Sequence, residues 1–171
     1  RDETDIAIEM VWDTPSDEDQ TDSDGSDVDL HFRHPQSQDW FRDAGPYDCH
    51  FANPSPDWGD PGVAVDNPSL DIDDTNGAGP ERITLDNPQL TAQFGRGYRV
   101  AVHYYRSQGG FRSVPYGPST ATIRVYFSGV LASETRRELD DTNAFWETVD
   151  IQWSADEALV IDVNALSRRA P

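Results

Sequence analysis

The 171 residues set 13 basic against 32 acidic side chains, for a formal net charge of −19 and a pI near 4.2. A field of that sign repels phosphate backbones and anionic lipid, which argues against nucleic acid as a partner, and no apolar run approaches the roughly 18 residues of a membrane-spanning segment, which argues against membrane insertion. The single cysteine, Cys49, excludes an internal disulfide framework and a thiolate metal cluster and reads as a buried, inert thiol, while five Trp, six Tyr and seven Phe supply the apolar area for a folded core.

In chain order, Thr4 to Trp12 reads as a first strand, with Ile6, Ile8 and Met10 on one side and Asp5, Ala7 and Glu9 on the other. Asp13 to Ser26 is an acidic loop, expected to be too polar to pack. Asp27 to Arg33 resumes the period of two: Val28, Leu30 and Phe32 point one way, and Asp27, Asp29 and His31 the other. His34 to Ser69 is irregular and rich in Pro, with Trp40, Phe41, Tyr47, Phe51 and Trp58 interleaved. So long a stretch is expected to be an ordered excursion pinned by its aromatics, with one short strand around Asp39 to Arg42. Leu70 to Asp73 and Glu81 to Leu85 are short strands around a Gly- and Asn-rich turn, Asp74 to Pro80.

The second half alternates more cleanly. Tyr98, Val100, Val102 and Tyr104 share one face of a strand, as do Ala121, Ile123, Val125 and Phe127 of the next. Ser128-Gly129 predicts a tight hairpin turn into Val130 to Arg136. Phe145 to Trp153 and Ala158 to Val163 complete the strands, and the one candidate helical turn lies near Glu134 to Asp141. Eight or nine short strands with polar turns predict an all-β fold: an antiparallel two-sheet β-sandwich, jelly-roll-like, spanning residues 1–171 as a single domain.

The acids are not spread evenly, and Asp outnumbers Glu by 24 to eight. If Val28 and Leu30 face the core, Asp27 and Asp29 face outward together, and Leu70 and Ile72 inward puts Asp71 and Asp73 outward in the same way. Like charges so placed destabilise a sheet unless a cation joins them. Asp74, Asn76 and Glu81 flank Gly77 and Gly79 in the adjoining turn. Calcium takes six to eight oxygen ligands at about 2.3–2.6 Å, and short Asp side chains on loops and strand ends supply several at once. The pattern therefore predicts a calcium-type site; a solvated acidic surface accounts for the net charge but not for the bunching. The segment Asp22 to Asp29 lacks the Glu and flanking helices of an EF-hand. The imidazoles His31, His34, His50 and His103 do not form a zinc ligand pattern and read as surface or hydrogen-bonded residues, with His31 a candidate second-layer partner to a ligating Asp.

The runs VWDTP (Val11 to Pro15), DVDLHFRHP (Asp27 to Pro35), NPSPDWG (Asn53 to Gly59), LDIDDTNGAGPERI (Leu70 to Ile83), GYRVAVHYY (Gly97 to Tyr105), GPSTATIRVYFSG (Gly117 to Gly129) and FWETVDIQW (Phe145 to Trp153) together resemble the YfaP-like domains of unknown function. The form resembled is the one found in large secreted or surface lipoproteins of myxobacteria and related groups. The resemblance implies an exported β-sandwich accessory domain, secreted or at the cell surface, alongside neighbouring domains of a longer precursor. It carries the acidic motif onto Asp27, Asp29, Asn53, Asp57, Asp71, Asp73, Asp74 and Glu81.

No serine elbow, Walker loop, dinucleotide fingerprint or zinc-protease helix occurs in the sequence. The reading is a non-catalytic extracellular module, a structural spacer or adhesion unit, with calcium as cofactor. The alternative is a carbohydrate- or peptide-binding module, its glycan or protein ligand held by Trp40, Tyr47 and Trp58 beside the acidic site. A glycoside hydrolase using paired carboxylates ranks behind both.

Overall fold

In the computed structural model, which describes residues 4–75, 77–108 and 114–171, ten strands form two antiparallel five-stranded sheets. Alternation drives the first strand, β1 (Ile6–Asp13), whose Ile6, Ile8, Met10 and Trp12 all lie in the core. It forms the centre of the first sheet, ordered β4–β5–β1–β7–β8, with β4 at Ser69–Ile72, β5 at Glu81–Leu85, β7 at Ser119–Phe127 and β8 at Val130–Leu139. The second sheet runs β10–β9–β6–β2–β3, with β2 at Asp27–Arg33, β3 at Asp48–Cys49, β6 at Tyr98–Arg106, β9 at Ala144–Trp153 and β10 at Ala158–Arg168. Phe32, Tyr98, Tyr104 and Trp146 are among the largest side chains sealed between the sheets, as the all-β sandwich expectation requires.

Ser128 and Gly129 take φ of 46° and 77° between β7 and β8, the positive values of a type I′ hairpin whose twist matches that of the strands. That turn carries β8 back along β7 through Leu139, so the helical turn expected near Glu134 is a strand instead. The strand expected around Asp39 to Arg42 is also absent. A short 3-10 segment runs from Phe41 to Tyr47, with Phe41 at φ 55° and Gly45 at φ 61°, which extended pairing cannot accommodate.

The acidic loop after β1 is not merely solvated. Its ends, Thr14 and Ser26, are buried, and the Thr14 hydroxyl lies 2.6 Å from both Ser26 and Ser119 hydroxyls. Between them Asp17, Asp19 and Asp22 each accept a backbone N–H two residues on, a series of Asx turns.

The main departure is β2, buried on both faces along its whole length. Val28, Leu30 and Phe32 enter the inter-sheet core as expected. Asp27, Asp29, His31 and Arg33 occupy the other face and are also buried, because residues of the 34–69 excursion fold over this part of the sheet. Trp40 and Phe41 pack on Phe145 and Ala101, and the Arg33 guanidinium lies 4.3 Å above the Trp40 ring. Asp27 and Asp29 therefore do not project into solvent. On β4, a register shift between Leu70 and Ile72 leaves Leu70 packed against the core and turns Ile72 outward, 45% exposed, contrary to the inward placement expected for it.

Candidate metal centre

The acidic group sits where the two sheets meet. Strand β3 pairs only with Phe32 and Arg33, so the first half of β2 is an edge. Glu81, the first residue of β5, reaches across from the opposite sheet, and the Leu30 backbone N–H donates to its Oε2 at 2.7 Å. Its other oxygen, Oε1, is buried and has no hydrogen-bond partner among the described residues; the same holds for Asp29 Oδ2 and Asp27 Oδ1. Carboxylate oxygens of Asp29, Asp73 and Glu81 lie within 4.8 Å of one another. Beside this trio, Asp27 lines a cavity of about 300 Å³ together with Asp29, Asp73, Phe51 and Tyr105. Arg106, half exposed, lies 3.8 Å from Asp27.

This crowding opposes ionisation. Burial raises Asp29 to about 8, helped by the charges of Asp27 and Asp73. Burial raises Asp27 to about 7 against the pull of Arg106, and Glu81 lies well above the usual carboxylate range through burial and the charge of Asp29. Buried orphan acceptors with raised pKa values gain most from a divalent cation, which satisfies oxygens and neutralises charge together.

A second donor set adjoins the first. Donor atoms of Asp29, His31 and His103, all buried, also lie within 4.8 Å of one another. Asp29 and His103 are register partners on β2 and β6, and His31 faces Ala101, whose methyl leaves the ring room. The fold thus brings together acidic and histidine side chains able to chelate a metal ion.

The other sequence candidates divide. Asp74 accepts the Gly79 N–H at 2.9 Å and contributes negative charge beside Asp27, from the turn rather than the cluster. Asp71 lies on the exposed side of β4 with Thr84 and Arg82. Asp57 accepts the Gly62 N–H in an exposed loop, and Asn53 donates to the Asp48 carbonyl. Asn76 falls outside the described residues. Trp40 and Trp58 are each 3% exposed, and their indole N–H groups donate to Glu147 and to the Pro46 carbonyl. Tyr47 packs against the core and His34. These three rings hold the excursion in place.

The histidines carry the contribution that sequence spacing did not reveal. All four are buried rather than at the surface. Only the alternation Asp29-x-His31 hinted that a nitrogen shares the face of the acids; His103 gave no signal until β6 paired with β2.

The raised carboxyl pKa values and the lowered ones of His50 and His103, both near 4 through burial and the neighbouring His31, have opposite linkage signs. The folded metal-free protein keeps protons on Asp27 and Asp29 up to pH 7–8 that the unfolded chain releases near its ordinary value of 3.8, so these acids lose stability as pH rises through that window. The imidazoles lose stability as pH falls from 6.5 towards 4. The two effects oppose each other below pH 6.5, and above it only the acids act. Chelated protein is expected to have a lower urea midpoint at pH 8 than at pH 6.5. A midpoint that rises over that interval contradicts the burial of these carboxyls.

No protein-family model matches this chain, nor does any curated protein or solved structure.

Proposed function

We propose that the chain is a non-catalytic extracellular accessory domain, a spacer or adhesion module of a longer secreted or surface precursor, whose oxygen cluster takes calcium. One observation carries the reading: buried oxygens of Asp29 and Glu81, from different sheets, that accept no hydrogen bond among the described residues converge with Asp73 of the β4–β5 turn. An ion there ties the edge of β2 to β5 and to that turn, closing the side on which β2 has no strand partner before Phe32. Oxygen donors and room for water suit calcium. The role agrees with the accessory character that the YfaP-like resemblance implies. Calcium titrated into metal-stripped protein is expected to give one saturable heat, lost in Asp73→Asn and in Glu81→Gln. A wild-type titration without heat overturns the reading.

A binding role has one specific support, and it is not the tryptophans. Phe51 and Tyr105 are 39% and 38% exposed, their ring centroids are 5.6 Å apart, and both line the cavity beside Asp27, Asp29 and Asp73. Exposed rings beside a cation suit a sugar's apolar face and hydroxyls. If the domain binds glycan, Phe51→Ala with Tyr105→Ala is expected to abolish retention on a glycan array and leave the melting temperature within a few degrees of wild type. Retention unaffected by both changes removes this alternative.

A further inference from the structure

We propose that Asp29, His31 and His103 form a second metal site, for a transition ion of the zinc class, beside the oxygen cluster and sharing Asp29 with it. The argument starts from the tautomers. His31 Nδ1 lies 2.9 and 3.1 Å from the two oxygens of Asp48, a carboxylate that is itself fully buried and held by the Phe41 N–H at 2.7 Å. A carboxylate accepts, so Nδ1 carries the hydrogen and Nε2 presents a lone pair. His103 Nε2 lies 3.1 Å from the Arg169 carbonyl. That oxygen can only accept, so Nε2 donates and Nδ1 presents the lone pair.

His31 Nε2, His103 Nδ1 and Asp29 Oδ2 are the atoms left over. Each is buried without a hydrogen-bond partner among the described residues, and the last two are 3.9 Å apart. Burying these three atoms side by side is unfavourable unless a proton or a metal cation lies among them. Both rings are completely inaccessible to solvent.

Two imidazoles and one carboxylate favour zinc and its neighbours over calcium, whose ligands are all oxygen. Asp48 supplies the carboxylate–histidine support that orients ligating imidazoles. Above the pair, the Phe41 ring packs edge-on at 4.9 Å from His31 and 5.0 Å from His103, and Phe145 at 5.8 and 6.0 Å. That apolar roof excludes water from one side, and Asp29 opens the other towards the 300 Å³ cavity.

The site needs neither Asp73 nor Glu81, so its test separates it from the calcium reading. Zinc chloride is titrated calorimetrically into metal-stripped full-length chain, and cobalt(II) is added in parallel for its ligand-field spectrum. One zinc per chain is expected, unchanged in Asp73→Asn and weakened roughly 100-fold or more in His103→Phe, whose calcium heat stays intact. Absence of zinc binding by wild type, or zinc affinity unchanged in both His103→Phe and His31→Gln, overturns the site and leaves the cluster as a proton-sharing His–Asp group. Should either variant fail to fold, wild-type crystals soaked in zinc decide. An anomalous peak among Asp29, His31 and His103 supports the proposal; a peak confined to the acidic loops, or none, overturns it.

Discussion

Chelation is expected to lower the melting temperature by roughly 5–10 °C, and calcium to restore it. An ion that binds only the folded state contributes about 2.7 kcal/mol at 100 times its Kd, and in a chain of this size each kcal/mol moves Tm by roughly 2–4 °C. The variants sharpen this result, because the cluster is strained without its ion. Replacing Asp73 with Asn removes a charge that raises both Asp27 and Asp29, so the metal-free protein is expected to melt no lower than wild type while its calcium increment disappears. A purely structural aspartate gives the opposite pattern, with a lower melt in either condition. Asp71→Asn and Asp57→Asn keep the increment, since Asp71 contacts Thr84 and Arg82 and Asp57 holds the Gly62 N–H. Equal melts of wild type with chelator and with calcium contradict the metal reading.

Much of this architecture was legible because alternation is a local signal. Ile6, Ile8 and Met10, or Val100 and Val102, need only their own strand to declare a face, and each lies where its period placed it. Period alone says which side chains share a face and nothing about what covers that face. On β2 the alternation separated Asp27, Asp29 and His31 from the core residues correctly. It could not show that an aperiodic segment, residues 34–69, folds over them. The same blindness hid the nitrogen donors: His31 meets His103 only through the β2–β6 register, and the Asp48 that orients His31 comes from the two-residue strand β3. Glu81 was legible by its position in an acidic turn. Its inward direction was not: only the fold shows Glu81 buried on the same face of β5 as Ile83 and Leu85.

Trp58→Ala is expected to destabilise the domain by about 3–5 kcal/mol, the usual cost of truncating a buried Trp, with a Tm loss of roughly 6–20 °C. The ring is packed against Phe32, His34 and Tyr98 at centroid distances of 5.6, 5.1 and 6.1 Å, so its removal opens a cavity where excursion and core meet. It also strips the Pro46 carbonyl of its 2.6 Å hydrogen bond from the indole N–H, a smaller loss because Pro46 itself is exposed. Trp58→Phe, which keeps ring packing and loses only the N–H, is expected to fall between the two. Because the segment from Trp40 to Asp66 is held at this point, the alanine variant should also be cleaved there by protease sooner than elsewhere, as local opening becomes easier than global unfolding. The calcium increment should persist, since Asp29, Asp73 and Glu81 stand on β2, β5 and the turn before β5. A sugar platform behaves in reverse: binding falls and the melt holds. An unchanged melt in Trp58→Ala therefore returns this ring to the ligand-binding role that the sequence allowed it.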